Sequence, residues 1–315
     1  MSMLEALHLR KSYGEHVAVD DLSLKVGAGE VFGLIGPNGA GKTTTMMMLT
    51  GLLAPDSGAI QLGGRLFDRQ DRKLRATLGV VPQDLAIYPD LTARENLVFF
   101  GRLYGLSGSD LKNRIAHVLD RTGLTQNAHE PARNFSGGMK RRLNFGVAIL
   151  HGPQFVILDE PTVGVDPQSR SHLLDAIREL GAAGVGVIYA THYMEEIEAV
   201  CQRVAIVDHG RLLACGALDE LLKGHNCELR VEISAIPERL IAQVQGLANV
   251  QRAGNGALTL RAVVDSERGP ASLGVRLRQI LDFVQTSGAE IRSVATEEFS
   301  LESLFLQLTG RSLRD

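Results

Sequence analysis

The segment Gly36-Pro37-Asn38-Gly39-Ala40-Gly41-Lys42-Thr43-Thr44 places three glycines, a lysine and two hydroxyls at a spacing suited to holding phosphate. Glycines let backbone N–H groups turn inward around an anion, and a helix that starts at the end of the loop adds positive potential. In such a P-loop Lys42 is expected to reach the β- and γ-phosphates, and Thr43 to place its hydroxyl on Mg²⁺ with Thr44 beside it. A glycine turn of this kind specifies nucleotide phosphates and nothing finer.

A second group is Phe155-Val156-Ile157-Leu158-Asp159-Glu160, an apolar run ending in two carboxylates. At a buried strand tip, Asp159 is aimed at a Mg²⁺ shell, and Glu160, one residue further on, can orient and polarise a water. Alone, the pair could equally be a solvated acidic turn. The third group is Asn134-Phe135-Ser136-Gly137-Gly138-Met139-Lys140-Arg141-Arg142. Ser136 is a natural helix N-cap, and Gly137 and Gly138 leave N–H groups bare at a helix start, which makes a second anion site. One nucleotide rarely needs both loops from one chain, so a dimer in which each chain closes over the other's nucleotide would explain the pair. The basic run Lys140-Arg141-Arg142 is expected to be a solvated helix face.

The elements that position these residues follow from periodicity. Leu22, Leu24 and Val26 alternate with Ser23 and Lys25 as in a half-buried strand. Val31–Ile35, Phe155–Leu158, Val185–Ala190 and Val204–Val207 are continuous apolar runs, which fit a parallel sheet covered on both faces. A helix from near Gly41 carries Met46, Met47 and Met48, three adjacent methionines expected to fill core. Residues 92–150 read as helical, with Thr92 and Ser109 as caps. Near residue 221 the pattern changes. Leu229, Val231 and Ile233 alternate with charges, Gly254-Asn255-Gly256 suggests a hairpin turn, and two helical stripes follow: Leu273, Leu277, Ile280, Leu281 and Val284, then Leu301, Leu304, Phe305 and Leu308.

With the P-loop, the Ser136 segment and the Asp159-Glu160 strand following one another along the chain, the sequence resembles the nucleotide-binding subunits of ATP-binding cassette (ABC) transporters over about residues 4–220. The resemblance implies an α/β fold: a P-loop cassette with a parallel-sheet core, an antiparallel β subdomain and a helical insertion over about 85–150. A small C-terminal α+β accessory domain, 221–315, follows the 1–220 cassette. It also implies roles for residues that would be unremarkable alone. Tyr13 would stack on adenine. Gln83, in Val81-Pro82-Gln83-Asp84, would sense the γ-phosphate and contact Mg²⁺ or water. Asp166, in Gly164-Val165-Asp166-Pro167, would communicate across a dimer, and His192, after Ala190-Thr191, would touch the γ-phosphate. Catalysis would rest on Glu160, His192, Lys42 and Gln83, and Mg²⁺ on Thr43, Gln83 and Asp159. Met139 stands where this family often has Gln, Phe135 where Leu is common, and Val163 and Val165 where Ser and Leu are frequent. The tail, ending Phe299-Ser300-Leu301-Glu302-Ser303-Leu304-Phe305-Leu306-Gln307-Leu308-Thr309-Gly310, is similar to that of ABC-2-type exporters, including drug- and antibiotic-resistance ATPases; a generic dimerising appendage is its other reading.

Composition bounds the partners. The chain has 315 residues, 44% hydrophobic and 22% charged, with no Trp, the balance of an ordinary globular protein. Asp and Glu number 36 against 33 Lys and Arg, a net charge of −3 that argues against long nucleic acid as partner. Three cysteines without a C-x-x-C pair suggest reduced thiols that serve packing in a cytosolic setting. No signal-peptide layout and no apolar stretch of about 20 residues is present, so a membrane permease and a second ATPase subunit, most simply another copy, are the expected partners. The expected location is cytoplasmic, on the inner face of the membrane. Import instead of export, and an ABC ATPase acting on DNA or ribosomes, remain the alternatives.

Overall fold

Strands β1 (Ser2–Tyr13) and β2 (His16–Gly27) pair antiparallel, with Leu22, Leu24 and Val26 buried and Lys25 exposed. Strand β3 (Val31–Ile35) is buried at all five residues, as a strand covered on both faces must be. The structure, a computed structural model, describes residues 2–222, 227–234, 241, 249–252, 258–264, 270–297 and 300–309. The chain divides into two compact units, one of residues 1–218 with 308–315 and one of 219–307.

In the first unit β3 leads into α1 (Lys42–Leu49). Strands β4 (Ser57–Leu62) and β5 (Arg65–Leu66) complete an antiparallel sheet of order β2-β1-β4-β5. Helix α2 (Arg72–Arg75) and strand β6 (Leu78–Val81) come next. Helices α3 (Ala93–Leu103), α4 (Gly108–Arg121) and α5 (Gly137–Ile149) form the helical insertion. The chain then runs through β7 (Phe155–Asp159), α6 (Pro167–Ala182), β8 (Gly186–Ala190), α7 (Met194–Val200), β9 (Arg203–Asp208) and β10 (Arg211–Ala217), and α8 (Leu218–Leu222) runs from Leu218 into the second unit.

The central sheet has the order β10-β9-β3-β8-β7-β6. Its strands from β9 to β6 are parallel, and β10 turns back antiparallel on β9. Parallel neighbours bring their C-terminal ends to one edge, where ligands bind in open α/β sheets. The register aligns those ends: Val81 pairs with Leu158, and Ala190 with both Asp159 and Leu34. Every loop named in the sequence as carrying phosphate or metal chemistry, apart from the Ser136 segment, leaves this edge.

Local chemistry sets the helix starts. Thr92 caps α3 through a capping box with Glu95: Thr92 Oγ1 accepts the Glu95 N–H at 3.1 Å, and Glu95 Oε2 accepts the Thr92 N–H at 2.8 Å. The cap of α4 is Ser107 and not Ser109, which lies inside the first turn. Met46 and Met48 are buried, but Met47 is 41% exposed. Three consecutive helical residues span about 200° of the helix circumference, more than one buried face can cover.

The second unit is an antiparallel sheet of order β12-β13-β11-β14, from β11 (Cys227–Ile233), β12 (Asn249–Arg252), β13 (Leu258–Val264) and β14 (Ile291–Glu297). Leu229, Val231 and Ile233 are fully buried and pack with Leu260 against Ile280 and Val284 of helix α9 (Pro270–Ser287). Leu277 is partly buried on the same helix, and the side chain of Leu273 lies outside the described residues. Strands β12 and β13 pair with Arg252 opposite Leu258; the Gly254-Asn255-Gly256 turn between them also lies outside the described residues. Helix α10 (Leu301–Thr309) buries Leu301, Leu304 and Phe305, while Leu308 is exposed. Phe299 and Gly310 are not among the described residues.

Candidate active site

The loop after β3 is shaped by close approach. Gly41, the N-cap of α1, has φ +96°, and a Cβ there would run into the carbonyl oxygen of Ala18. Only glycine meets both conditions without strain. Lys42 is buried, and its Nζ donates to the carbonyls of Gly36 at 2.7 Å and Pro37 at 3.1 Å, which folds the ammonium back over the loop. Burial lowers its pKa, while Glu160 and Asp159 act in the other direction. Asn38 and Gly39 are exposed, Gly36, Pro37 and Ala40 are buried, and Thr43 and Thr44 keep accessible surface on the first turn of α1.

Asp159, at the tip of β7, faces the Thr43 hydroxyl and sits close to Lys42. Burial, with Glu160 adding to it, pushes its carboxyl up to about 6. A carboxylate made this uncomfortable is a good place for a cation. Among the described residues no cluster of three or more His, Cys, Asp or Glu is arranged as metal ligands. The donor set of Thr43 hydroxyl, Asp159 carboxylate and Gln83 amide fits Mg²⁺, which takes few protein oxygens and completes its shell from phosphates and water.

Glu160 follows with φ +46°, a left-handed conformation costly for a residue with a side chain. Its N–H donates to the Ala190 carbonyl at 2.9 Å, so the turn is locked to β8. Its two carboxylate oxygens face different loops. Oε2 accepts from Gln83 Nε2 at 3.1 Å, and Oε1 pairs with His192 Nδ1 at 3.1 Å. Residues 83, 160 and 192, far apart in sequence, are thus one hydrogen-bonded group. Tyr13 stands apart from it, half exposed at the turn between β1 and β2.

Ser136 caps α5, its Oγ accepting the Met139 N–H at 3.2 Å. Ser136 and Gly137 are exposed, while Phe135 is buried beneath them. Gly138 packs against the Asp166 loop; a Cβ there would collide with Ser169 Oγ and lie 2.9 Å from Asp166 Oδ2. Asp166 itself caps α6 by accepting the Ser169 N–H at 2.9 Å. The glycine pair and Asp166 therefore share one surface, and Val165 is buried under it. Two of the three residues in the basic run are not simply solvated. Arg141 donates to the Gln83 carbonyl, and Arg142 Nη1 donates to the carbonyls of Thr122 at 2.8 Å and Gly123 at 3.3 Å. Guanidinium groups settle on carbonyls left bare at loop and helix ends, a use that a charge count does not reveal.

A family model described as "ABC transporter" matches residues 19–163. The linearmycin resistance ATP-binding protein LnrL of Bacillus subtilis (strain 168) is 41% identical over 315 residues, covering 99% of this chain and 100% of that protein. The chain belongs to the ABC transporter ATP-binding family. A Nod factor export ATP-binding protein I of Paraburkholderia xenovorans (strain LB400) is 38% identical over 309 residues, covering 98% of this chain and 97% of its own. A solved ATP binding subunit of an ABC transporter superposes with TM-score 0.65 at 32% identity, over 70% of this chain and 92% of that one. As a member of this family the chain is an ATPase with the P-loop cassette fold.

Three site features of this ABC ATPase were not read from its sequence. Asn144, buried on α5, accepts the Ala86 N–H at 3.0 Å, and Arg141 holds Gln83, so the helix that starts at Ser136 grips the Gln83 loop twice. The third is a buried carboxylate, Glu196 on α7. None carries a local signal, because each is an ordinary helical residue until the fold supplies its partner. Cys201 is buried, and burial pushes both its thiol and that of Cys215 up, so neither is an activated nucleophile. The side chain of Cys227 lies outside the described residues.

Proposed function

We propose that the chain is the ATP-hydrolysing subunit of an exporter, acting as a head-to-tail dimer on a separate membrane permease. The observation that carries this reading is the Gln83–Glu160–His192 group, gathered beside Lys42 and Asp159 at one sheet edge. In the proposed cycle Lys42 and the loop amides hold the phosphates, and Glu160 orients water for in-line attack. His192 and Lys42 steady the charge that develops. Bound Mg²⁺, held by Thr43, Asp159 and Gln83, would neutralise phosphate charge. Exposed Ser136 and Gly137, next to Asp166, would close over the nucleotide of the second copy, with Tyr13 against adenine. Contacts to the γ-phosphate last only while it is attached, so the dimer opens after hydrolysis.

Two further observations support the transport part. No helix among the described residues is long and apolar enough to cross a membrane, and in this reading the pathway belongs to the permease. The insertion exposes Tyr88, Phe99, Leu103 and Tyr104, and a hollow of about 460 Å³ lies among Arg94, Val98, Phe99 and Leu103. Exposed apolar surface of this kind marks a protein contact. Export is favoured over import because relatives named for linearmycin resistance and for Nod factor export align over nearly the whole chain, tail included.

Glu160→Gln tests the reading. It should leave ATP binding intact, lower hydrolysis by about 100-fold or more, and give a stable dimer with MgATP in size-exclusion chromatography. A folded variant that stays monomeric at saturating MgATP, or still hydrolyses it, overturns the proposal.

A further inference from the structure

Glu196, on α7, is only 2% exposed and takes no part in the chemistry above. Its Oε2 accepts hydrogen bonds from Tyr189 Oη at 2.5 Å, Thr162 Oγ1 at 2.9 Å and Thr191 Oγ1 at 3.0 Å. Its Oε1 lies 3.4 Å from Arg170 Nε, an ion-pair distance without hydrogen-bond alignment. A buried carboxylate is costly unless donors and a counter-charge offset it, and an apolar side chain would fill the same space more cheaply.

What the four partners share is where they sit. Thr162 lies two residues beyond Glu160. Thr191 directly precedes His192, and its Oγ1 also accepts the Tyr193 N–H at 3.0 Å, so the backbone is held on both sides of the histidine. Arg170 lies over the Tyr193 ring at 4.9 Å, and that ring is 4.2 Å from the imidazole of His192. Arg170 is also in the first turns of α6, the helix capped by Asp166. One carboxylate is therefore hydrogen-bonded to the chain at both ends of the 3.1 Å Glu160–His192 contact and lies at ion-pair distance from the helix that Asp166 caps.

We infer that Glu196 is a positioning residue that sets the Glu160–His192 geometry and ties it to the segment carrying Asp166. The inference rests on Glu160 and His192 being the hydrolytic pair. It differs from a purely stabilising role in one respect: loss of a single bond of the network should displace His192 without unfolding the protein.

Thr191 gives the cleanest test in the full-length chain, because Thr191→Val keeps shape and loses the hydroxyl, while Thr191→Ser keeps the hydroxyl. Thr191→Val should lower kcat about tenfold or more, with KM for ATP and Tm close to wild type. It should also shift the His192 Nδ1 resonance in ¹⁵N NMR. Thr191→Ser should restore both kcat and the resonance. Glu196→Gln, which drops the charge facing Arg170, should follow Thr191→Val. If the Val and Ser variants match in kcat and in the His192 resonance, Glu196 only stabilises the fold and the inference fails. Glu160→Gln serves as the control. Should it keep hydrolysing ATP, the hydrolytic reading falls, and the His192 resonance alone still decides whether Glu196 positions the ring.

Discussion

His151 shows how far a single side chain can be set by its surroundings. Its ring stacks on Tyr104 at 3.8 Å and 3°, and its Nε2 lies 3.0 Å from the Leu78 carbonyl, which calls for the proton on that nitrogen. Burial first, and the nearby Arg114 charge with it, lower its pKa from 6.5 to about 4 against the opposing pull of the Leu78 bond. The unfolded chain therefore takes up this proton first as pH falls, and stability is lost between about 6.5 and 4. The loss should reach about 3 kcal/mol at the acid end. His151→Phe keeps the stacking and removes the titration. Its urea-unfolding free energy should fall less steeply than wild type over that window; parallel curves would show that the proton is not excluded.

Elements matter here through the ends that they present. Helix α5 carries the exposed Ser136-Gly137 start at one end and, one to two turns on, Arg141 and Asn144 against the Gln83 loop. Movement of one should be felt by the other. Asn144→Leu leaves the Ala86 N–H without its acceptor, but also removes Asn144 Nδ2, a buried donor with no partner among the described residues. The two effects oppose, so the stability cost should be about 1 kcal/mol. ATP turnover should suffer more than that suggests, because the freed loop carries Gln83. A variant with wild-type kcat would show that the Asn144 tie is dispensable.

At the scale of the whole molecule there are separate cores. One gathers Leu4, Phe32, Leu34, Met48, Phe155 and Ile188, and another gathers Leu229, Val231, Ile233, Leu260, Ile280 and Val284. ATP binding to the first unit should stabilise only that unit, by about 2.7 kcal/mol at 100 times Kd. Calorimetry should then resolve two transitions, of which MgATP raises one. A single transition that shifts as a whole would mean that the two units unfold together.

The amino-acid sequence by itself determined where the loops lie and the strands beneath them. A P-loop needs contiguous residues, and a strand covered on both faces needs an unbroken apolar run, so Gly36–Thr43 and Phe155–Glu160 could be read in line. Thr92 was legible as a cap for the same reason, since its partner Glu95 is three residues away. Ser109 was misread because several small polar residues compete near a helix start and only backbone geometry selects Ser107. The tertiary structure alone decided what depends on parallel strands meeting at one edge: that Glu160 lies between Gln83 and His192, that Arg141 and Arg142 turn inward, and that Glu196 is buried. The Gln83–Glu160, Glu160–His192 and Arg142–Thr122 pairings span 77, 32 and 20 residues. A buried charge differs from a solvated one only in the neighbours that such long-range packing supplies.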